Sequence, residues 1–127
     1  MAADYSYNKT EKLKSRKMLN EIFASGKSFS VFPVKVFYIL PEAKDKTVNA
    51  GVGVSAKNFR KAVERNRIKR LLRECYRLNK LSLHATVESK QKSVAVFFLY
   101  IGKEMPEYTL LNEKMQKALI KLEETLA

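Results

Sequence analysis

Apolar residues recur along this chain with two periods, and each change of period marks a new element. Met18, Leu19, Ile22 and Phe23 fall at helical spacing between Ser15, a candidate N-cap, and Gly26, a helix-stopping residue. Val34, Val36, Tyr38 and Leu40 then alternate with Lys35, Phe37 and Ile39 as far as Pro41, the pattern of a strand with contacts on both faces. Beyond the polar turn Glu42 to Thr47, Val48, Ala50, Val52 and Val54 share one strand face. Asn49, Gly51 and Gly53 occupy the other, where the glycines permit close approach of another group. From about Phe59 to Lys80 the period is helical again, with Val63, Ile68, Leu71, Leu72 and Cys75 as the apolar stripe.

Leu81 to Gln91 reads as a polar loop, and Val94 to Ile101 as a buried strand ended by Gly102 and Pro106. Leu111, Met115, Ala118, Leu119, Leu122 and Leu126 predict a closing amphipathic helix with Thr109 as its N-cap. The order α-β-β-α-β-α implies helices packed on one sheet, an α+β or α/β sandwich. With 127 residues, 46% of them hydrophobic, a single domain over 1–127 with a real core is expected, only residues 1–12 looking untethered. The longest apolar run, Val94 to Ile101, falls far short of the roughly 20 residues of a membrane span. The N-terminus lacks the basic start and apolar stretch of a secretory signal, so the expectation is a cytoplasmic protein with no membrane partner.

Charge sharpens the picture. The chain carries 25 Lys+Arg against 13 Asp+Glu, a formal net charge of +12, and residues 57–80 hold 10 of the basic residues and 2 of the acidic ones. Basicity is therefore local, something a ligand can read. Arg65, Lys69, Arg73 and Arg77 are four apart and form one ridge on a helix, with Arg67 and Arg70 beside it. Lys57, Arg60 and Lys61 gather at the helix start, where the macrodipole also favours anions. Charge runs are most often solvated faces, but a solvated face normally mixes signs, and like charges at this spacing repel unless a polyanion relieves them. Arginine also outnumbers lysine between Arg65 and Arg77, which suits forked phosphate contact. Lipid binding is the weaker use of such a helix, because its apolar stripe is needed to cover the sheet.

Other chemistries find little support. Cys75 is the only cysteine and His84 the only histidine, so an internal disulfide and a His/Cys metal cluster are excluded, and His84 reads as a surface residue. A self-sufficient nuclease needs clustered carboxylates, whereas Glu64 and Glu74 sit among arginines and the remaining acids scatter. A helix-turn-helix lacks its short preceding helix.

The segment Ala62-Val-Glu-Arg-Asn-Arg-Ile-Lys-Arg-Leu-Leu-Arg-Glu74, with Arg65-Asn-Arg67 inside it, closely resembles the protein subunit of bacterial ribonuclease P. So does the strand before it, Val52-Gly-Val-Ser-Ala-Lys57. Leu13-Lys14, Leu19, Phe23 and Gly26-Lys27-Ser28 are similar to that family's first helix and its exit turn, so the likeness covers about residues 10 to 80. Two positions depart from the family pattern: Arg60 replaces a glycine before the Arg-Asn-Arg signature, and Leu19 stands where a first cleft phenylalanine is common.

The resemblance implies an α+β fold of the ribosomal protein S5 domain 2-like kind, with a left-handed β-α-β crossover around the basic helix. It implies a ribonucleoprotein endonuclease whose active site and magnesium ions belong to the RNA, with no catalytic residue and no cofactor bound by the protein alone. The partners are then the catalytic RNA and the 5′ leader of precursor tRNA, and no protein partner is implied. Arg65, Arg67, Lys69, Arg70 and Arg73 are expected on RNA phosphates, with Lys57, Arg60, Lys61 and Arg77 completing the basic surface. Asn66 has two open readings, an RNA contact or a backbone cap. Leu19, Phe23, Lys35, Phe37 and Ser55 are candidates for a leader cleft between the first helix, the sheet and the basic helix; each aromatic has ordinary core packing as its alternative. The rival function is a general RNA-binding module, ribosome-associated or chaperone-like, with no part in cleavage.

Overall fold

In the computed structural model, which describes residues 16–41 and 48–126, eight elements follow the order α1 (Arg16–Ser25), β1 (Lys27–Val31), β2 (Val34–Ile39), β3 (Val48–Val54), α2 (Ala62–Asn79), α3 (Leu81–Lys90), β4 (Val94–Tyr100) and α4 (Tyr108–Thr125). Two of them, β1 and α3, go beyond the expected α-β-β-α-β-α order. The four strands form one sheet in the order β1-β2-β4-β3, in which β3 and β4 are parallel and the other neighbours antiparallel. Helices α2 and α3 connect the parallel pair.

Strand periodicity divides the sheet into two different faces. Val34, Val36, Tyr38, Val48, Ala50, Val94, Val96, Phe98 and Tyr100 point to one side and are buried, together with Ile68, Leu72, Cys75 and Tyr76 of α2, Leu83 and Val87 of α3, and Leu111, Met115, Ala118, Leu119 and Leu122 of α4. The expected apolar positions of α4 all fall in this core. Lys35, Phe37, Ile39, Phe97, Leu99, Gly51 and Gly53 lie on the other face, and α1 packs there through Phe23.

Several local expectations are corrected. Leu81 to Gln91 is a helix, anchored by buried Leu83 and Val87 one turn apart, and it ends at Gln91, whose left-handed φ of 55° lets its N–H bond back to Glu88. His84 on that helix is half-buried, not a free surface residue: its Nε2 lies 3.1 Å from the Tyr76 hydroxyl. Helix α2 starts at Ala62, and Phe59 is a buried loop residue packed on Tyr100. Val63 leaves the apolar stripe, being 80% exposed. Thr109 is inside α4, whose N-cap is Glu107. Gly26 does end α1, since its N–H reaches the Ile22 carbonyl at 3.0 Å and a Cβ there would collide with the Ile22 and Tyr38 carbonyl oxygens. Ser15, residues 1–12 and the turn 42–47 lie outside the described residues.

Candidate nucleic-acid interface

The basic surface is built on α2 and the loop leading into it. Ile68, Leu72, Cys75 and Tyr76 turn into the core, which leaves Asn66, Arg67, Arg70 and Arg73 exposed on the outer side. Arg65 and Lys69 flank the buried stripe and are partly covered. Because Asn66 is in the second turn, the cap reading for it lapses; the N-cap position is Lys61, and it makes no side-chain cap bond.

The ridge is not uniformly unpartnered. Arg65 folds back along the entry loop, its Nη1 donating to the carbonyls of Phe59 at 2.9 Å and Arg60 at 2.6 Å. Arg77 grips Glu74 through two hydrogen bonds, Nη2 to Oε1 at 2.5 Å and Nε to Oε2 at 3.2 Å. That grip holds the Glu74 carboxyl below the ordinary carboxylate range and raises Arg77. The cations left outermost are thus Arg67, Arg70 and Arg73, joined by exposed Lys57, Arg60 and Lys61 at the helix entrance.

The entrance is fixed by a residue that sequence reasoning passed over. Asn58 Nδ2 donates to the carbonyls of Ile101 and Gly102, both at 3.3 Å, tying the β3–α2 loop to the β4–α4 loop. The Ser55 N–H bonds the Tyr100 carbonyl at 3.2 Å, so Ser55 lies where β3 hands over to that loop. An asparagine between Lys57 and Phe59 carries no sequence signal for such a tie.

On the opposite sheet face, Phe23 meets Phe37 edge-on with centroids 5.1 Å apart and Phe97 at 5.3 Å, while remaining 50% exposed. Lys35 places its Nζ 5.1 Å above the Phe37 ring. Leu19, one turn before Phe23, is half-buried. Phe97 was absorbed into the apolar run Val94 to Ile101, although strand alternation puts it opposite Phe37. Gly53 makes room for its ring, since a Cβ there would stand 2.5 Å from the Phe97 Cζ. Phe23, Lys35 and Phe37 therefore come together on this face, with Leu19 one turn along α1, whereas α2 packs on the other side of the sheet, as its Tyr76 on Phe98 shows, and does not wall this cleft.

Among the described residues no three His, Cys, Asp or Glu side chains come together to hold a metal ion, and no helix is long and apolar enough to cross a membrane.

Comparison with known proteins agrees with this geometry. The Ribonuclease P family profile matches residues 7–123. The chain is 38% identical over 121 residues to the ribonuclease P protein component of Porphyromonas gingivalis strain ATCC 33277, covering 94% of this chain and 88% of that protein. Its counterpart in Chlorobium phaeobacteroides is 33% identical over 125 residues, covering 90% and 86%. Among solved structures, the Staphylococcus aureus RNase P protein superposes with a TM-score of 0.68 over 92% of this chain and 98% of that one, at 18% identity.

Proposed function

The chain belongs to the ribonuclease P protein family, a subunit of the ribonucleoprotein that removes tRNA 5′ leaders, and from that premise we propose how its residues take part. Arg67, Arg70 and Arg73, with Lys57, Arg60 and Lys61, bind phosphates of the catalytic RNA. Lys69, Asn66 and the two tethered arginines, Arg65 and Arg77, complete that surface. The observation that carries this reading is the outward run of cations Arg67, Arg70 and Arg73 on α2, with Glu64 and Glu74 only at its two ends. Neutralising about six phosphates makes log K fall against log salt with a slope of about −5.

The precursor-tRNA leader lies on the other sheet face. There Phe23 and Phe37 offer π faces to bases, Lys35 meets a phosphate, Leu19 supplies an apolar wall, and Ser55 lies at the strand end. Phe97 backs the two aromatics. Magnesium belongs to the RNA in this reading, the described residues bringing no three His, Cys, Asp or Glu side chains together. In this reading the fold is the S5 domain 2-like arrangement with a left-handed crossover; the parallel neighbours β3 and β4 joined through α2 and α3 support the β-α-β crossover itself. The whole chain acts as one domain in the cytoplasm.

The test is 5′ cleavage of a precursor tRNA at low magnesium by a bacterial ribonuclease P RNA, with and without the protein, beside a protein-only control. Cleavage by the pair where neither acts alone is expected. Binding without any gain in cleavage by the cognate RNA would return the protein to the general RNA-binding class. Cleavage by protein alone would move the chemistry into this chain.

A further inference from the structure

A groove of about 810 Å³ opens where the β1–β2 hairpin tip meets the β4–α4 loop. Phe32 and Pro33 form one wall, Met105 and Leu110 the other, and Lys103 and Lys114 stand with Glu104 and Glu107 among its lining residues. Phe32 is 67% exposed and Leu110 46%, a costly display of apolar surface at a turn and a first helical turn. The walls are locked together: the Ile101 N–H bonds the Pro33 carbonyl at 2.8 Å, and the Tyr100 hydroxyl donates to the Glu104 carbonyl at 2.5 Å. Gly102 lets them close, since a Cβ there would stand 2.5 Å from the Tyr100 hydroxyl. This is a preformed slot rather than a loose loop, and its size is that of small-ligand sites, roughly 300–1,000 Å³.

Its position suggests the occupant. The floor, Ile101 and Gly102, is the segment that Asn58 holds, so the slot adjoins the loop carrying Lys57, Arg60 and Lys61. Within the slot the two lysines are offset by two glutamates, an environment poor for a phosphate but suited to an uncharged aromatic ring. Carboxylate acceptors there can meet an exocyclic amino group. Building on the α2 reading above, we propose that this groove receives one unpaired nucleobase of the catalytic RNA, stacked on Phe32, while its flanking phosphates rest on the cations of the α2 entrance. The catalytic RNA rather than the leader is the source, because Tyr100 and Leu111, which line the groove, belong to the α2–α4 side of the sheet and the phenylalanine cleft to the other.

The test compares wild type, Phe32→Ala, Phe32→Tyr and Leu110→Ala for equilibrium binding to ribonuclease P RNA across a salt series, with thermal unfolding of each as a folding control. Phe32→Ala is expected to weaken binding about tenfold with its salt slope unchanged, since stacking displaces no counterion. Phe32→Tyr restores affinity, and Leu110→Ala gives a smaller loss. The gain in substrate affinity that a leader confers stays at its wild-type value in all three. Wild-type affinity in both alanine variants, with the steep salt slope intact, overturns the base site and leaves the α2 reading standing. The same result would favour a protein ligand for these apolar walls. Loss of the leader-dependent gain instead would assign the groove to substrate and equally overturn the proposal. Failure of the wild type to bind the RNA would remove the α2 reading itself.

Discussion

Arg65 and Arg67 stand two positions apart with different surroundings. Arg65 spends its guanidinium on the Phe59 and Arg60 carbonyls, whereas Arg67 is exposed on the outer side of the helix. Arg65→Ala should therefore cost about 1 kcal/mol of folding stability as well as RNA affinity. Arg67→Ala should leave unfolding unchanged and flatten the salt slope by about one. Thermal unfolding read beside salt-dependent binding separates them, and equal effects on both readouts would refute the division. Helical spacing puts Arg65 on the ridge and Arg67 beside it but does not reveal the tether, which depends on where the entry loop runs. Cys75 is buried in the core, and burial, followed by the nearby Glu74 charge, pushes its thiol up to about 11. A folded value above the unfolded one means the stabilisation is complete below about 8.5 and fades as pH rises through 11. The denaturant midpoint should drop over that window more steeply in the wild type than in Cys75→Ala; parallel curves would contradict it.

Elements differed in legibility for physical reasons. The stripe of α4 has six apolar positions over more than four turns, so its period is plain, and all six are buried. Helix α3 commits only Leu83 and Val87 to the core, too few to stand out among Ser82, His84, Thr86, Glu88 and Ser89. Leu83→Ala should nevertheless cost about 3 kcal/mol, the scale of a fully buried leucine, where a loop residue would lose well under 1. Chemical denaturation measures this, and a loss below about 1 kcal/mol would mean that α3 contributes little to the core. Strand β1 was hidden differently. Phe29 and Val31 turn inward and Ser28 and Ser30 outward, but as an edge strand next to the Gly26 stop it resembled an exit turn. The glycines on β3 did announce close approach; that the approaching group is the Phe97 ring follows only from the β3–β4 register.

At the scale of the molecule, the sheet separates two candidate surfaces that the family resemblance places around one cleft. The family resemblance counts α2 among the walls of the phenylalanine cleft. Yet Tyr76 packs on Phe98 and Phe23 on Phe97, adjacent strand residues that face opposite ways. A contact made by Arg70 and one made by Phe37 are then divided by the thickness of the sheet and share no partner. Free energies of such separated changes add to within about 0.5 kcal/mol. Arg70→Ala should weaken assembly with the catalytic RNA and leave the leader-dependent gain in substrate affinity intact, and Phe37→Ala should do the reverse. In the double variant each loss should reappear at its single-variant size when both equilibria are measured on the holoenzyme. A coupling above about 1 kcal/mol would mean that one RNA segment wraps the sheet edge and touches both faces. The arginine ridge and the aromatic cleft would then act as one continuous site.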